Sequence, residues 1–206
     1  VDLYIYELVC RTVREWLERG MTVNPVSCNF SSLHFDSPEF PELVAAIADR
    51  HNVPHALLEL EITESAIMRN PQIVCAQVLR LKERGFMIAI ADFGSGYYSL
   101  GQLQQLMADV LKLDRSFVRR GMFGTRERIV IGNVIHMAGE LGMQVICEGV
   151  ENAKQAEMLI ELGCYYAQGF YYAKPMPRDV FEGLLEKGKV LQDEKENKKG
   201  AWQRKP

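Results

Sequence analysis

The stretch Gly85-Phe86-Met87-Ile88-Ala89-Ile90-Ala91-Asp92-Phe93-Gly94 decides how this chain folds. It runs from a glycine through a short apolar segment to an acidic residue. Glycine just past a helix takes the left-handed cap conformation at low cost. Phe86–Ala91 is apolar throughout, as a strand in a parallel sheet covered by helices must be. A polar residue at the end of such a strand stands where a βα barrel gathers its active site. Working outward, the pattern recurs. Gly20 precedes Met21-Thr22-Val23 and the run Val26–Phe30; Gly142 precedes Met143–Cys147; Gly163 precedes Cys164–Ala167. Four helix-glycine-strand junctions argue for repeated βα units.

The expected strands are Val26–Phe30, Leu57–Ile62, Phe86–Ala91, Val110–Leu113, Val145–Cys147 and Cys164–Ala167. Helix starts are marked between them. Asn70-Pro71 pairs an N-cap with a first-turn proline. Ser37-Pro38 repeats that signal and predicts a helix to about Ala48, with Pro41 in its first turns. Asn152 and Gln155 have capping-box spacing. Tyr4–Leu17 is amphipathic, and Ile129–Leu141 places Ile129, Val130, Val134, Met137, Ala138 and Leu141 mostly on one face. The fold class is therefore α/β, with two architectures open, a doubly wound sheet or a (β/α)8 barrel. A barrel needs eight strands. The expectation is a barrel without its first strand in this chain, with a further strand near Phe170–Ala173. The domain spans residues 1–185, and 186–206 is a charged flexible tail, its Lys195–Lys199 segment solvated.

A net charge of −3 over 206 residues leaves no global basic field for a nucleic acid polymer or an anionic membrane. No apolar stretch approaches a membrane span. The five cysteines are scattered without a CxxC pair, which fits buried thiols in a reducing, cytoplasmic compartment. The chain shows no signal peptide pattern and no starting Met, and reads as excised from something longer. His34, His51, His55 and His136 form no metal pattern. Met137 and Met143 are expected to fill core. Tyr97-Tyr98 and Tyr165-Tyr166 suit either base stacking or packing.

Polar residues stand at or near successive strand ends: Asn29, Glu61, Asp92, Lys112, Glu148 and Gln168. Several have plainer readings. Asn29 and Gln168 suit the satisfaction of buried backbone. Lys112 suits a structural ion pair with Asp109 or Asp114, and Asp114 suits a cap for the segment after its strand.

The ordered set Glu61-Ile62-Thr63-Glu64-Ser65, Asp92-Phe93-Gly94-Ser95-Gly96-Tyr97, Lys112-Leu113-Asp114-Arg115-Ser116-Phe117, Glu148-Gly149-Val150-Glu151 and Gln168-Gly169-Phe170 closely resembles the EAL domain, the bacterial cyclic-di-GMP phosphodiesterase family. The likeness runs from about Val23 to Pro177. It implies a modified TIM barrel that hydrolyses cyclic-di-GMP to the linear dinucleotide with Mg²⁺ or Mn²⁺, Ca²⁺ supporting binding without turnover. By the same resemblance Asn29 and Glu61 match ligands of a first metal, Asp92 a ligand of a second, and Glu148 an acid at the metal–water centre. Lys112 matches the lysine at the attacking water or phosphate. Gln168 lines the site near the end of the barrel, Glu151 lies nearer the guanine or in a supporting shell, and Glu64 steadies the loop after Asp92. Phe93–Ser99 resembles the segment tied to metal binding and dimerisation in that family, which implies the capacity to form a homodimer.

The chain departs from the family pattern twice. The Glu-Ala-Leu signature belongs to a strand before Val1. The family has two aspartates before Phe-Gly, and the first is here Ala91. Alanine has no ligand atom. The expectation is a catalytically impaired, cyclic-di-GMP-responsive module attached to other signalling modules. The alternatives are an active hydrolase in the full-length protein and a nucleotide-free protein-interaction module.

Overall fold

The apolar runs become six strands. The computed structural model describes residues 1–94, 103, 106–121 and 124–186. In it β1 spans Val26–Asn29, β2 Leu58–Thr63, β3 Met87–Phe93, β4 Val110–Leu113, β5 Gln144–Cys147 and β6 Tyr166–Ala167. They form one sheet in sequence order, and every neighbouring pair is parallel. Parallel neighbours in sequence order need crossover connections, and among the described residues helices stand in the β1–β2, β2–β3, β4–β5 and β5–β6 connections. The result is a six-stranded curled sheet, part of a barrel.

The helices are α1 (Asp2–Glu18), α2 (Ser32–Phe35), α3 (Phe40–Arg50), α4 (Glu64–Arg69), α5 (Pro71–Glu83), α6 (Arg115–Gly121), α7 (Thr125–Glu140), α8 (Ala153–Glu161) and α9 (Arg178–Glu186). Each of the four expected junction glycines has a positive φ: Gly20 71°, Gly85 88°, Gly142 78° and Gly163 85°. The Asn152–Gln155 capping box is formed in both directions.

Strand alternation separates two layers. On β2, Leu58, Leu60 and Ile62 are fully buried in the apolar core shared with the helices. Each contributes about 1.5–3 kcal/mol relative to exposure. Glu59 and Glu61 alternate with them and turn to the concave face. They too are buried, so the β2 run is closed to water on both sides.

Several local expectations are corrected. Phe170–Ala173 is not a strand but a turn, in which Tyr171 N donates to Val150 O at 3.0 Å and Tyr172 N to Gly169 O at 3.1 Å. The helix expected from Ser37 starts at Phe40, with Pro41 in its first positions where a missing N–H costs nothing. Asn70 precedes α5, but its side chain donates to Asp36 Oδ1 at 3.0 Å instead of capping the helix. α7 begins at Thr125 and buries Ile131, Ile135 and Ala138, while Ile129, Val130 and Leu141 are exposed. Of the expected face, Ala138 is buried and Val134 and Met137 pack against the core. Lys112 pairs with neither Asp109 nor Asp114. Asp109 takes Lys82 and the Ile88 N–H. Asp114 does cap, accepting from Ser116 N at 2.8 Å.

α1 and α9 are joined through one carboxylate. Glu182 accepts from Trp16 Nε1 at 2.8 Å, Arg19 at 2.6 Å and Arg178 at 2.6 Å. Cys10, Cys28, Cys147 and Cys164 are buried and form no disulfide. No described helix is long and apolar enough to cross a membrane. The expected tail, apart from the end of α9 at Glu186, lies outside the described residues.

Candidate functional site

Register brings the strand ends to one rim. Asn29 is the last residue of β1 and sits opposite Glu61, and Ser27 sits opposite Glu59. Glu61 in turn pairs with Ala89, and Thr63 with Ala91. Between β3 and β4 the register slips: Ile90 opposes Leu111 and Phe93 opposes Leu113. Two residues, Ala91 and Asp92, therefore stand against the single residue Lys112. This is a β-bulge, the device by which a strand re-aims a side chain beside a site. Asp92 absorbs it with φ +55°, a left-handed conformation that aspartate tolerates better than most residues.

The turn after the bulge is held from below. Gly94 N donates to Glu64 Oε2 at 2.9 Å, and Glu64 is buried at the start of α4. A side chain at Gly94 would strike the Phe117 ring at 1.9 Å, and φ there is +88°. The remaining residues of the Phe93–Ser99 segment, and Tyr97-Tyr98, lie outside the described residues.

The β5 and β6 ends interlock through the backbone. Glu148 N donates to Leu113 O at 3.0 Å, which extends the ladder one residue past β5. Gln168 N donates to Cys147 O at 2.8 Å, and Gln168 O accepts from Val150 N at 3.1 Å. A Cβ at Gly169 would lie 2.1 Å from Val150 O. The two glycine-containing motifs are thus packed main chain to main chain.

At the centre Lys112, Glu59 and Glu61 form a buried polar group, with the exposed Ser27 of the edge strand β1 at its margin. Lys112 Nζ donates to Glu61 Oε1, donates to Ser27 Oγ at 3.1 Å, and lies 3.4 Å from Glu59 Oε1. Ser27 Oγ donates in turn to Glu59 Oε1. Exposure is 3% for Lys112, 5% for Glu59 and 6% for Glu61, so these charges interact with little screening. Burial pushes the half-buried Glu148 carboxyl above the ordinary value; Lys112 pulls it down, and Glu61, Asp92 and Asp114 push it up. No described side chain donates to Glu148 or Asp92.

Not every expected residue joins this group. Asn29 and Gln168 are exposed, one at each edge of the sheet. Glu151 is exposed and its carboxylate lies 3.6 Å from Arg119, away from the ring. His34, His51, His55 and His136 pair with Asp2, Glu7, Asp49 and Glu140. Tyr165 and Tyr166 are exposed rather than packed. Glu59 and Ser27 went unnoticed in the sequence. Each stands two residues before an expected site residue, hence on the same strand face, and that spacing was the available signal.

Among the described residues no three His, Cys, Asp or Glu side chains converge as a ready cation site. The donor chemistry nonetheless fits one. Glu61, Asp92 and Glu148 supply carboxylate oxygens at one rim, Asn29 supplies an amide oxygen, and Lys112 is the one ammonium among them. Such an oxygen-rich, negatively charged set suits a hard divalent cation.

The EAL domain model matches residues 1–175. The signaling protein YkoW of Bacillus subtilis is 35% identical over 185 residues, which cover 90% of this chain and 23% of that protein. The cyclic di-GMP phosphodiesterase RocR of Pseudomonas aeruginosa is 34% identical over 184 residues, 88% of this chain and 47% of that one. The chain thus spans less than half the length of either relative. The solved structure of the PaMucR phosphodiesterase in its c-di-GMP complex superposes with a TM-score of 0.81 at 32% identity, over 87% of this chain and 72% of that one. On the family match, these relatives and the parallel curled sheet that carries the motifs at its rim, the chain belongs to the EAL domain family of cyclic-di-GMP phosphodiesterases.

Proposed function

We propose that this chain is a cyclic-di-GMP-responsive EAL domain whose hydrolytic step is impaired. The observation that carries the reading is the β3 bulge. It sets two consecutive positions against the single residue Lys112 in register, and the first of them is Ala91, buried and without a ligand atom.

Asn29, Glu61, Asp92 and Glu148 would hold divalent cations, Mg²⁺ or Mn²⁺ for turnover and Ca²⁺ for binding alone. Bound there, the cations would supply a nucleophilic hydroxide near neutral pH and offset phosphoryl charge. The chain's own groups do the rest. Lys112 places a cationic ammonium beside the rim, where it offsets charge on the phosphodiester. Glu64, through Gly94, fixes the turn that carries Asp92. Gln168 and Glu151 stand on the β5–β6 side, where the guanine end of the ligand would lie. Four of the five cysteines are buried free thiols, which suits a cytoplasmic setting. Relatives of which the chain covers less than half support a role beside other modules of one polypeptide.

The test is calorimetric titration of cyclic-di-GMP into the full-length protein with Ca²⁺ and again with EDTA, followed by product analysis with Mg²⁺ or Mn²⁺. The expected result is cation-dependent binding with little linear dinucleotide formed. Rapid turnover with Ala91 in place overturns the impaired reading in favour of an active hydrolase. A folded protein that binds nothing in either condition overturns the nucleotide reading in favour of a protein-interaction module.

A further inference from the structure

Lys112 has two carboxylates on its ammonium, and only one of them stands at the rim. Glu61 belongs to the rim, opposite Asn29. Glu59 lies two residues earlier on β2, one layer deeper on the same concave face, opposite Ser27. Ser27 Oγ bridges the two partners, accepting from Lys112 Nζ at 3.1 Å and donating to Glu59 Oε1.

The arrangement meets a specific electrostatic difficulty. A divalent cation that takes Glu61 as a ligand repels the ammonium already bound to that carboxylate. Lys112 is 97% withdrawn from solvent, so an ammonium displaced from Glu61 would be poorly hydrated, and an unpaired buried charge is strongly disfavoured. Glu59 lies within 3.4 Å of the same ammonium, and it is already held in place by Ser27. A short lateral shift of Nζ keeps the lysine paired.

We propose that Glu59, fixed by Ser27, is a standby counter-ion that lets Lys112 release Glu61 to a divalent cation without leaving its buried position. The inference rests on the reading of Glu61 as a cation ligand. Glu59 and Ser27 act through Lys112 and touch neither ligand nor phosphate; they are positioning residues.

The test is a double-mutant cycle read by calorimetric titration of Ca²⁺ alone into EDTA-stripped full-length protein. Glu59→Gln weakens Ca²⁺ binding by about fivefold or more, the scale of coupling between contacting charges, and Ser27→Ala weakens it less in the same direction. In a Lys112→Met background the Glu59→Gln change has little effect, because no ammonium is left to hold. Equal weakening in both backgrounds makes Glu59 only a source of negative potential, and overturns the inference alone. A wild type that takes up no Ca²⁺ removes Glu61 as a ligand, and overturns the cation reading above together with this one. Should Lys112→Met not fold, nitrogen-15 spectra of the lysine ammonium give an independent answer. In the wild type the Lys112 signal shifts with Ca²⁺ and stays protected from exchange, whereas in Glu59→Gln it is lost on Ca²⁺ addition. A signal that persists equally in both proteins overturns the inference.

Discussion

Lys112 on β4 reaches Glu61 on β2 across the full width of β3, whose inward residues at that level are Ala89 and Ala91. Two small side chains leave the space over which the lysine lies. A larger or charged residue at position 91 would enter that space, and the first prediction follows from it.

Ala91→Asp adds a carboxylate to the bulge beside Asp92 and Lys112. Hydrolysis of cyclic-di-GMP with Mn²⁺ is expected to rise by about tenfold or more, the scale on which support of a metal site acts. The same change buries a charge, so the cation-free protein is expected to lose about 1 kcal/mol or more in urea unfolding with EDTA. Unchanged turnover in a well-folded variant would mean that Ala91 is not what limits the chemistry.

Lys112→Met leaves Glu59 and Glu61 buried against each other without their cation. Breaking a buried ion pair from one side costs about 3–5 kcal/mol. Urea unfolding at neutral pH without divalent cations measures it, and a loss under about 1 kcal/mol would show that water reaches the pair.

Glu148→Gln is expected to stabilise the cation-free protein near neutral pH while weakening cation uptake. The Glu148 carboxyl titrates above its ordinary value of 4.5, chiefly because it is buried. The folded state therefore holds the proton more tightly than the unfolded state, and ionisation disfavours the fold at pH above the raised value. The advantage of glutamine shrinks as pH falls through that value and vanishes below 4.5. Thermal melts of both proteins across this range check the sign; an advantage that grows on acidification contradicts it.

Glu182→Gln loosens α9 from α1. The guanidinium of Arg19, the Trp16 indole and Arg178 hold the Glu182 carboxyl down to about 2. A depressed value means that the ionised form supports the fold. That support is present above about 4.5 and is lost as pH falls toward 2. Amide exchange over Arg178–Glu186 should quicken in the variant at pH 7, and the two proteins should converge near pH 2.

Gly169→Ala meets the Val150 backbone at 2.1 Å, whereas Gly163→Ala meets open space with only its φ of +85° against it. Overpacking costs about 1–3 kcal/mol, and alanine at positive φ about 1 kcal/mol. Gly169→Ala should therefore be the more harmful in denaturant titrations, and should also reduce nucleotide binding, because Gln168 and Val150 share that contact.

Much of this was legible because its causes are local. Gly85 and Gly142 mark helix ends by backbone freedom alone, and Val110, Leu111 and Leu113 are apolar because β4 is buried along its length. The rim residues follow from strand ends. What escaped depends on partners distant in sequence. Glu59 lies within an apolar run and shows its purpose only when Lys112 arrives from 53 positions away. Ile129 and Val130 share apolar character with Ile131 and Val134, and only the packed helix shows which stripe turns inward. α2 is four residues long, too short for a periodic signal. The bulge is invisible in the sequence, because Ala91-Asp92 looks like ordinary alternation until the register on β4 is known.

That bulge also bears on what a substitution at position 91 would meet. Its backbone still presents position 91 to the rim, with Asp92 in its left-handed conformation and Gly94 tied to Glu64. A carboxylate introduced at position 91 would therefore meet a turn already held in place.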